Sequence, residues 1–140
     1  MMENLTVFII DCGDDKKKDV QRLCKSFQAH EPKFIELAGK VDFSQVVCDT
    51  EWKMFLYSDE YLSGKLMEAL PIFLTSYYSE QFDVYGLVKV EEARKNDPTR
   101  VWECPRIFRK TVEMRRNSIE PLSIQGLEYT RILDGFLIGM

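Results

Sequence analysis

The chain has 140 residues, 45% of them hydrophobic and 30% charged, which is the size and mix of one ordinary domain able to bury a core. Nineteen basic residues against 23 acidic ones leave a net charge of −4, so a nonspecific binder of phosphate backbones is excluded and no nucleic acid is expected as a partner. No uncharged apolar run reaches membrane-spanning length, and residues 1–11 lack a basic start and a cleavage pattern; neither a transmembrane segment nor a secretory signal is expected, and the expected location is cytoplasmic.

In chain order, Leu5–Ile10 (LTVFII) is a continuous β-branched and apolar run, the pattern of a strand buried on both faces in a parallel sheet. It stops at Asp11-Cys12-Gly13-Asp14-Asp15, where Asp14 or Asp15 can cap a helix. Val20, Leu23, Cys24 and Phe27 then recur at helical spacing until Glu31-Pro32. Lys33–Leu37 (KFIEL) is a second strand, which completes a βαβ unit. A short helix is expected within residues 43–48, and a third strand at Trp52–Tyr57 (WKMFLY), ending at Ser58-Asp59-Glu60. Residues 64–78 read as a long helix that Pro71 should kink or split.

Residues 82–90 alternate as a strand, with Val84, Val88 and Val90 on one side and Tyr85, Leu87 and Lys89 on the other. Asn96-Asp97-Pro98 marks a turn. Residues 101–109 and 111–115 read as two further strands, an antiparallel pair. Residues 119–124 and 129–133 follow as apolar stretches, and 136–140 as an apolar tail. The four cysteines are scattered without a C-x-x-C, and His30 is the single histidine. That composition argues against a zinc site and against a histidine-dependent hydrolase. The fold class is α/β.

Ligands of open α/β sheets bind beyond the carboxyl ends of the strands. Two acidic clusters occupy such ends, residues 11–15 and Asp59-Glu60. Carboxylates there can hold a hard divalent cation, which in turn holds a diphosphate. They can equally cap a helix. Arg106 and Arg109 alternate with Ile107 and Phe108, and both are expected on one strand face, within reach of a diphosphate or of Asp59.

The stretch Glu51-Trp52-Lys53-Met54-Phe55-Leu56-Tyr57-Ser58-Asp59-Glu60 resembles the metal-binding strand end of family 2-like glycosyltransferases of the GT-A fold, in particular those that extend lipopolysaccharide cores. Asp83-Val84-Tyr85, Cys104-Pro105-Arg106-Ile107-Phe108-Arg109-Lys110, Asn117-Ser118-Ile119-Glu120-Pro121-Leu122 and Leu133-Asp134-Gly135-Phe136-Leu137 resemble later segments of that family, in the family's order. The resemblance implies a single compact GT-A-like domain, a mixed sheet flanked by helices, with residues 1–60 as the nucleotide-binding half and 61–140 as the acceptor-side half. It implies transfer of a sugar from a nucleotide-diphosphate donor to a hydroxyl of a glycan, lipid or protein acceptor.

By the same resemblance, Asp59 and Glu60 would bind Mg²⁺ or Mn²⁺, Glu120 would be the catalytic base, Asp11 would lie near the nucleobase or ribose, and Arg106 or Arg109 would help hold the phosphates; Tyr57, in the place of a metal acid, could instead stack on a sugar or base. The sequence departs from the family at Tyr57, which replaces the first motif acid, and at Ile119, where a histidine is usual. The stretch between Leu37 and Trp52 is also short. These departures keep open a non-catalytic GT-A-like binding or scaffolding module. A flavodoxin-like domain is a further alternative, although Gly13 stands alone where a glycine-rich phosphate loop would be.

Overall fold

In the computed structural model the described residues are 4–10, 32–37, 40–58, 60–75, 82–91, 100–123 and 129–139. The expected helix before Pro32 lies outside them, as do Asp11 and Asp59. The strands are β1 (Leu5–Ile10), β2 (Lys33–Leu37), β3 (Trp52–Tyr57), β4 (Glu60–Leu62), β5 (Val84–Glu91), β6 (Arg100–Arg109) and β7 (Tyr129–Gly139), with one α-helix, α1 (Gly64–Thr75), among the described residues. They build a seven-stranded mixed sheet in the order β2-β1-β3-β6-β5-β7-β4. The chain is α/β, as its patterns predict.

The sequence places the first three strands where the structure has them. β1 runs parallel to β2 on one side and to β3 on the other. Its six residues are all buried because both faces of this strand are covered. Leu5, Val7 and Ile9 join Trp52, Met54, Leu56, Tyr85, Leu87 and Ile107 in a layer closed by Leu66, Ala69, Leu70 and Leu74 of α1. Phe8 and Ile10 face the other way, into a layer with Phe43, Phe55, Val84, Phe108, Val112, Met114 and Ile119. Phe55 centres this second layer, stacked on Phe8 and edge-on to Phe43, with ring centroids 5.4 Å apart in each case.

Several expectations are corrected. Helix α1 is not split at Pro71, which lies inside it, and residues 76–78 of the expected helix lie outside the described residues. Residues 43–45 form a single 3₁₀ turn capped by Asp42, shorter than the helix expected there. Residues 111–115 are not a strand. They belong to a turn-rich segment held by one bridge, Met114 to Pro121, so the apolar Val112 and Met114 serve the second core layer from irregular backbone. The apolar stretch at 119–123 continues this irregular backbone, with Ile119 in the same core layer. The stretches 129–133 and 136–140 are largely one strand, β7. β4 was not legible: three residues between an acidic turn and a helix carry too little periodicity.

The sheet is strongly coiled, for a simple geometric reason. Tyr57 and Glu60 are three residue steps apart, at most about 11 Å of chain. Their strands, β3 and β4, are separated in the sheet by β6, β5 and β7. Four interstrand spacings would be about 19 Å if the sheet were flat. The far half of the sheet must therefore roll back toward the end of β3. A bulge in β6 assists: Tyr85 pairs with Ile107 but Gly86 with Pro105, so Arg106 is the extra residue.

Candidate functional site

The carboxyl end of β3 is where the ladder between β3 and β6 fails. Trp52, Lys53 and Met54 pair with Arg109, Phe108 and Ile107, and the pairing ends there. The amides of Trp52 and Ser58 donate to Asn4 and Ile10 of the β1 side. By alternation, the backbone groups of Phe55 and Tyr57 point toward β6, which has bulged away.

Side chains fill the gap. Arg106 Nη1 donates to the Phe55 carbonyl at 3.2 Å, and the Tyr57 amide donates to Glu60 Oε1 at 2.7 Å. Arg106 grips Glu60 with both terminal nitrogens, Nη1 to Oε1 at 2.6 Å and Nη2 to Oε2 at 2.8 Å. This is the two-point geometry in which arginine and carboxylate bind most strongly. Lys89 Nζ reaches Glu60 Oε2 at 2.6 Å. The cations also lie on ring faces, Arg106 at 5.1 Å from the Tyr57 centroid and Lys89 at 5.5 Å from that of Trp102.

Burial alone would push the Glu60 carboxyl up. The hydrogen bonds and charge of Arg106, with Lys89 and the Tyr57 amide, outweigh it and hold the carboxyl below its ordinary range. Burial also opposes the charge on Arg106, and the Glu60 carboxylate more than compensates, leaving the guanidinium more firmly protonated. Neighbouring Cys104 donates to the Leu87 carbonyl at 3.7 Å, and burial raises its thiol above the usual range. Such a thiol is a poor nucleophile.

Of the residues singled out in the sequence, the structure brings together Tyr57, Glu60 and Arg106. Arg109 is elsewhere. It lies over Trp52 at the start of β3, 4.4 Å from that ring, and pairs with Glu51 at 2.7 Å and Asp83 at 3.0 Å. The two arginines thus serve opposite ends of β3 with separate partners, and the bulge takes Arg106 out of simple alternation along β6. Glu120 is exposed and loosely paired with Arg115 at 3.5 Å, its carbonyl accepting from the Arg115 amide.

Glu60 does not fit a metal-ligand role in this arrangement, because both of its oxygens are held by cations. Among the described residues no group of three or more potential ligands could hold a metal ion. No helix among them is long and apolar enough to cross a membrane.

Lys89 and Trp102 were not singled out as site residues. The alternation of β5 carried a signal for Lys89: it falls on the side of Tyr85 and Leu87, both of which face the core. A lysine on an apolar side needs an acid to meet it. Nothing local marks Trp102, which faces Lys89 only through the β5–β6 register.

A second feature lies beside β1 and β2. An open groove of about 450 Å³ is lined by Phe8, Ile35, Leu37, Val41, Asp42 and Val46, among others. Its size is that of a small-molecule site, and its lining mixes apolar side chains with Glu36, Lys40, Asp42 and Gln45. Comparison with protein-family models and with curated proteins gives no match to this chain.

Proposed function

We propose that the chain is a GT-A-like glycosyltransferase that binds a sugar nucleotide at the carboxyl ends of β1 and β3. The observation that carries this reading is the strand order β2-β1-β3. From β1 the chain continues to β2 on one side, whereas β3 lies on the other. The direction of the connections thus reverses at β1, and a crevice at such a reversal is where ligands of α/β sheets bind. Asp11 is the next residue after β1, and Ser58-Asp59 follow β3. The groove at Phe8 and Leu37 supports the reading, since a partly apolar slot beside this crevice suits a nucleobase.

In this reaction Glu120 takes the proton of an acceptor hydroxyl. The freed oxygen attacks the anomeric carbon of the sugar. The carbon–oxygen bond to the diphosphate breaks, and its electron pair leaves with the nucleoside diphosphate. The exposed, loosely paired carboxylate of Glu120 is open to such a proton. Titration calorimetry and transfer assays with UDP- and GDP-sugars, run with Mn²⁺ and separately with EDTA, test the proposal. Silence across the panel sinks it.

A second reading, a non-catalytic GT-A-like binding module, is favoured by the engagement of Glu60 with Arg106 and Lys89 and by Tyr57 in the place of an acid. It differs in outcome: donor binding without turnover, and no effect of Glu120→Gln on anything measured.

A further inference from the structure

Among the described residues, the cluster at the end of β3 holds more positive than negative charge. Among the described residues Lys89 and Arg106 meet a single carboxylate, Glu60, so +2 and −1 leave +1. The side chains involved are close to buried, Glu60 at 0% exposure, Arg106 at 5% and Lys89 at 11%. A surplus charge in such a place is unfavourable until an anion meets it.

Arg106 is largely spent on Glu60 and on the Phe55 carbonyl. Lys89 has more to give. An ammonium carries three donors, and among the described residues its one hydrogen-bonding partner is Glu60 Oε2. Its other neighbours are the rings of Tyr57, at 5.9 Å, and Trp102, at 5.5 Å. Ring faces steady a cation without using up its N–H groups. Trp102 is 39% exposed, so the ring that flanks Lys89 borders solvent.

We infer that Lys89, steadied by Glu60 and flanked by Tyr57 and Trp102, is an anion contact for the diphosphate of the bound donor, supplying positive charge at this strand end without a divalent cation. The inference rests on the donor-binding reading for the identity of the diphosphate, and on the charge surplus for the site itself. Fixed positive charge beside the departing diphosphate would also favour its release from the sugar.

The test is calorimetric titration of the full chain with inorganic pyrophosphate and with UDP, in EDTA, for the unaltered protein, Lys89→Gln and Lys89→Arg. Pyrophosphate should bind without metal. Lys89→Gln should weaken it about tenfold or more, the size of one lost charge-assisted contact. Lys89→Arg should retain most of the affinity. Lys89→Gln keeps the Arg106–Glu60 pair, and its unfolding midpoint checks that the fold survives. If it does not, protection of Lys89 from amine acetylation by pyrophosphate, read by mass spectrometry on the unaltered chain, replaces it.

No pyrophosphate binding in EDTA, equal affinity in Lys89→Gln, or no protection overturns the inference. Sugar-nucleotide binding that requires Mn²⁺ and ignores Lys89→Gln also overturns it, while leaving the glycosyltransferase reading in place. Pyrophosphate binding that depends on Lys89, with silence from every sugar nucleotide, supports the anion contact and removes that reading instead.

Discussion

The two ends of β3 handle charge in opposite ways. At the Trp52 end the β6 ladder is intact, and the charges sit on its rim: Arg109 is 18% exposed, with Glu51 at 48% and Asp83 at 37%. At the Tyr57 end the ladder has lost its partner strand, and the charges have moved inside, with Glu60 fully buried. The difference lies in what the backbone needs. An intact ladder leaves side chains optional, whereas an interrupted one in a buried place must have its carbonyls and amides met by something else. Glu60 and Arg106 do that, and Lys89 then accompanies them.

The largest effect expected from this contrast is at Glu60. Glu60→Ala leaves Arg106 and Lys89 as neighbouring buried cations and leaves the Tyr57 amide unmet, so stability should fall by about 3–5 kcal/mol, read by urea unfolding. Loss of under 1 kcal/mol would mean that the cluster is far wetter than its exposure suggests.

Acid should find the same weak point. The folded carboxyl of Glu60 lies below its ordinary value of 4.5. Its stabilising contribution is therefore full above that value and is lost as pH falls through the folded value. Unfolding midpoints measured from pH 6 downward should drop in the unaltered chain, and the part of that drop due to Glu60 should be missing in Glu60→Gln.

At the other end the effects should be smaller. Arg109→Ala should lower stability by about 1–2 kcal/mol, from the lost contact with Trp52 and two part-exposed pairs. Glu51→Ala should stay within about 1 kcal/mol. If either equals Glu60→Ala, the contrast between the ends is false.

The smallest effect is expected at Tyr85. Its hydroxyl is buried, has no hydrogen-bond partner among the described residues, and is pushed up in pKa by burial. Tyr85→Phe keeps the stacking on Trp52 and removes the unmet group, so stability should hold or rise by up to about 1 kcal/mol.

Much of the scaffold was legible in the chain itself. LTVFII, KFIEL and WKMFLY mark β1, β2 and β3 because strand formation and burial are written in local, short-period patterns. The apolar residues of 64–75 marked α1 for the same reason, and the favourable packing of Leu70 and Leu74 on the sheet outweighed the break expected at Pro71. The segment 111–115 failed as a strand because Val112 and Met114, like the nearby Ile119, are core residues carried on irregular backbone. Apolar spacing alone does not tell such a segment from a short strand.

The candidate site was legible only in part. Tyr57, Glu60 and Arg106 could be named from their neighbours in the chain, but their chemistry could not. The sequence by itself determined which segments are strands, which faces are apolar, and that an acid follows β3. Only the tertiary structure decided what that acid does. Glu60 meets Arg106 from 46 residues away because β6 bulges at Arg106 and the sheet coils back over the end of β3. Short-range sterics fix periodicity, whereas partners across a sheet are chosen by strand order and register.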